Sequence, residues 1–145
     1  EVSRRFKVEK INVVASHKVA RWLDDNGQIG MKTDIEPIAK KFKADFVVLF
    51  SFEDFGYLEE NSPGMYRGHA NCKIVVTEMI EDKAKPGKRR AKVIYNCPFN
   101  CKYPSNRPIS ADQEGPDVFK RRFLGQLSDQ LVRRFIETRP EDDIQ

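Results

Sequence analysis

The apolar pattern of this chain predicts a mixed α/β (α+β-like) fold: a mostly antiparallel sheet with helices packed on it and a long C-terminal helix. Three observations predict it. The apolar period changes from helical to alternating at Ala44-Asp45 and stays alternating through the next long segments. Phe119, Phe123, Leu127, Leu131 and Phe135 then recur at every fourth residue near the end of the chain, as one face of a helix requires. The length of 145 residues suits a single domain over 1–145, large enough to bury about two-thirds of its unfolded surface without a metal or disulfide.

The elements follow in order. Arg4-Arg5-Phe6 reads as the tail of a helix, and Ile11-Asn12-Val13-Val14 as a short β-prone run. Ser16 is placed to cap a helix carrying Val19, Trp22 and Leu23, which Asn26-Gly27 stops because glycine takes positive φ readily. Thr33 and Glu36 have capping-box spacing, and Pro37 falls in a first helical turn, where a missing N–H costs little. Ile35, Ile38, Ala39 and Phe42 form the apolar stripe of that second helix. Lys40, Lys41 and Lys43 face water at its negative end.

Ala44 to Phe52 reads as a strand covered on both faces for much of its length, followed by a loop through Glu59–Gly64. A longer strand from Met65 to Met79 sets Tyr66, Gly68, Ala70, Cys72, Ile74 and Val76 on one face and Arg67, His69, Asn71 and Lys73 on the other. A turn centred on Pro86-Gly87 leads to a third strand, on which Ala91, Val93, Tyr95 and Cys97 continue the first face. The three prolines between Pro98 and Pro108 predict irregular chain, and Ser110 opens the final helical region. Residues 140–145 read as a frayed acidic tail.

Composition excludes little. The longest apolar run, Phe46 to Phe50, is far short of the roughly 20 residues of a membrane span. The net charge of +4 favours solubility and weak attraction to anions. No glycine-rich phosphate loop is present, and neither of the two histidines sits in a motif with a nucleophile or carboxylate. Cys97 and Cys101 have C-x3-C spacing, and with Cys72 they fit buried thiols or a disulfide better than a tetrahedral zinc site. The chain is therefore read as non-enzymatic, with no catalytic residue, no metal and no cofactor.

Two candidate binding features remain. The hairpin tip 83–92 holds six basic residues, of which Lys88, Arg89 and Arg90 are the candidate anion-binding set. The same charge would equally keep the tip solvated, and nucleic-acid binding usually adds stacking aromatics, which 83–92 lacks. Phe55 and Tyr57, in the loop expected after the first central strand, are candidate partner-binding aromatics; the competing reading packs both onto the domain.

Three stretches carry a resemblance: Thr33–Val48, where a helix passes through Ala44-Asp45 straight into a strand; Tyr66–Val76, a long strand after a loop; and Phe119–Leu124 in the closing helix. Together they resemble the periplasmic α/β domain of the curli-secretion lipoprotein and of the TolB amino-terminal domain, over about Ile11 to Ile136. The resemblance implies a further strand and helix upstream of Glu1. It implies a bacterial cell-envelope domain, periplasmic or outer-membrane-associated, that acts by binding another envelope protein or its own copies in assembly or secretion. It implies membrane attachment only through a lipidated cysteine upstream, because Cys72, Cys97 and Cys101 are all internal. A nucleic-acid-binding module using the hairpin 83–92 is the alternative.

Overall fold

The computed structural model describes residues 1–27 and 35–136. Its elements are helices α1 (Val2–Val8), α2 (Ser16–Asn26) and α3 (Ile35–Phe42), strands β1 (Phe46–Leu58), β2 (Met65–Glu81), β3 (Arg89–Tyr103) and β4 (Ile109–Ser110), and helix α4 (Pro116–Arg133). The sheet is antiparallel in the order β1-β2-β3, with the short β4 pairing β2 through Met65↔Ser110 and Tyr66↔Ile109. This is the expected mixed fold with its long closing helix. By internal contacts the chain divides into two compact units, both fed by the three long strands. Unit 1 comprises 1–13, 54–70 and 100–145, and unit 2 comprises 14–53 and 71–99.

In unit 1, α4 begins at Pro116, whose missing N–H costs nothing in a first turn. Phe119, Phe123, Leu127 and Leu131 of the expected stripe are buried, joined by Val132, whereas Phe135 comes after the helix ends at Arg133 and is half-buried. Leu124, next to Phe123 in sequence, is exposed, because it falls off the face that meets the sheet. Phe119 stacks on Tyr66 with centroids 5.2 Å apart, and Phe123 lies against Phe55 and Tyr57 at 5.6 and 5.8 Å. Gly68 makes room for this packing: a Cβ there would sit 2.4 Å from the Phe123 ring. Helix α1 packs on α4 through an ion pair between Arg5 and Asp129, and Phe6 meets Phe135, just past the end of α4, edge to face at 5.4 Å. The α1 helix ends where Lys10 takes φ of +60°, with the Ile11 N–H donating to the Phe6 carbonyl at 2.9 Å. That closing bond belongs to a helix stop of the Schellman type, and Ile11–Val14 is not a strand: four residues with no sheet neighbour cannot satisfy their backbone as one.

In unit 2, α2 starts at Ser16 with Ala15 as its N-cap and no side-chain cap, so Ser16 is the first helical residue and not the cap. Gly27, at φ of +85°, ends it as expected, with its N–H donating to the Leu23 carbonyl. Thr33 and Asp34 lie outside the described residues, as does the tail 140–145. Within α3, Ile38 and Ala39 are buried. Lys43 takes φ of +52° and the Ala44 N–H donates to the Ala39 carbonyl at 2.9 Å, so α3 stops without a glycine and the chain turns through Ala44-Asp45 into β1. The buried face of β2 is Cys72, Ile74 and Val76, continuing through Thr77 and Met79.

The strands differ from expectation in three places. First, β1 is an edge strand and neither face is fully covered: Phe46 is 54% and Phe52 46% exposed. An aromatic-rich apolar run is compatible with a half-covered edge as well as with a buried centre. Second, β3 continues through Pro98 to Tyr103, burying Phe99 and Cys101, and Val93, on the same face by alternation, is 56% exposed rather than covered. As the other edge of the sheet, β3 can hold a proline whose absent N–H would otherwise leave a gap in the ladder. Third, Ser110 belongs to β4, and the helix waits until Pro116.

Candidate functional site

Phe55 and Tyr57 are on β1, not in a loop. The strand carries on through Glu53-Asp54 because these acidic side chains lie exposed at a sheet edge and need no burial. Strand alternation puts Phe55 and Tyr57 on the same side, edge to face at 5.2 Å, and both reach Phe123. Tyr57 is half-buried, with the Lys120 ammonium 5.2 Å over its ring. Phe55 keeps 41% of its surface in solvent, and Leu58, three residues on and on the other face of the strand, keeps 61%. The two alternatives are thus combined: both rings pack down, and Phe55 still presents an apolar face. Leu58 escaped the sequence because an apolar residue before Glu59-Glu60 looks like the beginning of a loop.

The polar side chains of unit 1 lock the local geometry. Arg67 donates to Glu59 Oε2 at 3.3 Å and to the carbonyls of Pro104 and Ser105 at 3.1 and 2.8 Å. One guanidinium thereby ties the β1–β2 turn to the chain leaving β3, using the planar fork that lysine lacks. His69 Nε2 stands 3.4 Å from Asp54 Oδ2, and its ring covers Gly56, where a Cβ would come within 2.5 Å. A histidine and a carboxylate orient each other; chemistry would need a nucleophile or an oxyanion site in addition.

The basic hairpin of unit 2 is built on a tight turn. Lys88 N–H donates to the Lys85 carbonyl at 3.1 Å, Pro86 and Gly87 are the central residues, and Gly87 has φ of +82°, as a type II turn needs. Lys88 and Arg90 are exposed, as are Lys83, Lys85 and Lys92. Arg89 is not: it donates to Asp45 Oδ1 at 3.0 Å and to the Ala44 carbonyl at 2.8 Å. Of the three candidate anion-binding residues, the structure brings Lys88 and Arg90 to the surface and engages Arg89 in the α3–β1 junction. Nothing local in the sequence marks that role, since its partners are more than forty residues away.

Comparison with protein-family models, with characterised proteins and with solved structures finds no match for this chain. Its reading rests on its own residues.

Cys72 and Cys101 are buried, Cys97 is half-buried, and all three are thiols rather than disulfide partners. Burial pushes the Cys72 thiol above its ordinary range, because a thiolate would lose its hydration there. Among the described residues, no group of three or more His, Cys, Asp or Glu side chains is arranged to hold a metal ion. Maleimide labelling of the native chain, followed site by site by mass spectrometry, should modify Cys97 first and Cys72 and Cys101 only as the chain opens. Equal rates at Cys72 and Cys97 would contradict this burial.

A shallow cleft of about 320 Å³ lies between α1 and α4 and is lined by Arg4, Arg5, Val8, Asp129, Val132 and Ile136. Arg4 is paired with Glu1 at 2.7 Å and Arg5 with Asp129 and Glu1, while Arg133 also lines the cleft. The Arg5–Asp129 pair joins α1 to α4.

Proposed function

We propose that this chain is a non-catalytic binding domain of the bacterial cell envelope, whose partner is an extended segment of another envelope protein laid along the β1 edge. The carrying observation is the asymmetry of the two sheet edges. β3 bears Arg90, Lys92, Lys102 and Pro98, residues of the kinds that blunt an edge against a further strand. Residues 54–58 of β1, which belong to unit 1, contain no lysine, arginine or proline, and they expose Phe55 and Leu58 by 41% and 61%. Unpaired backbone groups supply affinity in strand addition, and alternate apolar side chains supply selectivity. The envelope setting rests on the resemblance carried by Thr33–Val48, Tyr66–Val76 and Phe119–Leu124.

The test is site-specific photo-crosslinking in bacterial envelope extracts. A crosslinking residue at Leu58 should capture a defined envelope protein, and the same residue at Ile94 of β3 should not. Leu58→Lys should reduce capture at least tenfold without changing the unfolding midpoint, because Leu58 is 61% exposed. Equal capture from Ile94, or capture unaffected by Leu58→Lys, would reject the β1 edge. Salt-sensitive, submicromolar binding of oligonucleotides would favour the nucleic-acid alternative instead.

A further inference from the structure

The fold brings together two basic segments that are forty residues apart in sequence. The Ala91 N–H donates to Glu36 Oε1 at 3.2 Å, and Arg89 holds Ala44 and Asp45. These bonds set the end of α3 beside the base of the β2–β3 hairpin. Lys40, Lys41 and Lys43 therefore neighbour a hairpin that carries Lys83, Lys85, Lys88, Arg90 and Lys92, and all eight are exposed. Of the acids beside these segments, Asp45 is paired with Arg89, Glu36 accepts from the Ala91 N–H and Asp82 from the Ala84 N–H, while Glu81 is exposed. The charge is also segregated: unit 2 holds 13 basic and 9 acidic residues, whereas unit 1 holds 13 of each, so the net +4 belongs to unit 2.

We propose that this face of unit 2 docks on the surface of an anionic lipid bilayer. The chemistry of the tip favours a lipid surface over nucleic acid. Between Lys83 and Lys92 the only side chains are those of lysine, arginine, alanine and proline, with one glycine. The tip offers no aromatic ring as a stacking platform for bases and no amide or hydroxyl, which single-strand recognition usually adds to basic charge. Most of the charge is on lysine, a hydrated point charge that suits a diffuse layer of headgroups, and the one arginine whose fork is held in place faces inward. The Pro86-Gly87 apex has no bulky side chain to keep the flanking lysines from a flat surface. Attraction of this kind needs no pocket, and its strength adds up over the basic residues that come within a Debye length of the headgroups. It is independent of any strand added at β1.

The test is flotation of the intact chain with vesicles of phosphatidylcholine alone or mixed with phosphatidylglycerol, at low and high salt. Binding should require phosphatidylglycerol and disappear at high salt. Lys88→Gln with Arg90→Gln should weaken it roughly 25-fold, about fivefold for each charge removed. Lys40→Gln with Lys41→Gln should weaken it by a comparable factor, although these residues lie on another element. Lys102→Gln with Arg107→Gln removes the same charge from exposed positions of unit 1 and should leave binding within about twofold. Circular dichroism and the unfolding midpoint would show that each variant is folded. Binding to phosphatidylcholine alone, equal losses in all three variants, or no binding to mixed vesicles would overturn the proposal. So would a single-stranded oligonucleotide that binds more tightly than the mixed vesicles and shows the same dependence on Lys88 and Arg90.

Discussion

Replacing Phe123 by alanine should destabilise the chain by about 3–5 kcal/mol, the cost of emptying a ring-sized volume from a packed interior. Phe123 is fully buried, in ring contact with Phe55 and Tyr57, and lies over Gly68. The site is poorly able to collapse after truncation. Gly68 has no side chain to move in, and Phe55 and Tyr57 are held by the β1 backbone, which sets the upper part of that range. Urea denaturation should show a lower midpoint with an unchanged slope. Leu124→Ala is the control one position along the same helix. Leu124 is 39% exposed, so its truncation should cost under about 1 kcal/mol. A Phe123→Ala cost no larger than that of Leu124→Ala would mean that α4 does not pack as described. The substitution also bears on binding, since Phe123 supports the ring that Phe55 presents at the sheet edge. Partner capture at Leu58 should fall in Phe123→Ala even under conditions where the chain remains folded.

How much of this was legible in the sequence depended on whether the signal was local. The α4 stripe was, because Phe119, Phe123, Leu127 and Leu131 repeat without interruption. So were the stops at Gly27 and at Pro86-Gly87, where the residue type and the positive φ coincide. The passage from α3 to β1 through Ala44-Asp45 was legible as a change of period, but its device was not: Lys43 adopts a left-handed conformation that sequence reasoning reserves for glycine or asparagine. The strand ends were misread for one physical reason. Asp54 in β1 and Pro98 in β3 look like loop residues, yet an edge strand tolerates both, since half of its backbone faces no neighbour. Edge or centre is a property of the assembled sheet and has no signature of its own in Phe46–Phe52.

The binding surfaces follow the same division. Phe55 and Tyr57 could be picked out as aromatic residues near charged ones, but only the fold makes them neighbours of Phe123. The basic hairpin was visible as composition. Its division into an inward Arg89 and outward Lys88 and Arg90, and the arrival of Lys40 and Lys41 beside it, depend on bonds between α3 and β3. A variant set chosen from composition alone would have replaced Arg89 together with its neighbours. That would have mixed the loss of a junction contact with the loss of surface charge.

The second large effect is expected at Gly68. Gly68→Ala adds one methyl group, and the Cβ would stand 2.4 Å from Phe123 Cγ and Cδ2 and 2.7 Å from Cδ1. Carbon atoms do not approach so closely, so either the ring or the β2 backbone has to move. The ring is fully buried between α4 and the sheet, with Phe55 and Tyr57 against it, and has no open direction to swing into. The backbone is held in the ladder on β2, the middle strand of the β1-β2-β3 order. Overpacking of this kind costs about 1–3 kcal/mol or somewhat more, although alanine is otherwise the more rigid residue and would stabilise an unstrained position. The clash has one partner, which makes it separable. Phe123→Ala removes Cγ and both Cδ atoms, the ring atoms nearest the new methyl group, and on its own costs stability by leaving a void. In the double variant the methyl group and the smaller side chain compensate each other. The combined loss should fall short of the sum of the two single losses by at least about 1 kcal/mol, as expected for residues in direct contact. Additive losses, measured by denaturation of the four chains under one set of conditions, would show that Gly68 is not held small by Phe123. The same cycle run with Leu124→Ala in place of Phe123→Ala should be additive, because that exposed side chain lies off the face that meets Gly68.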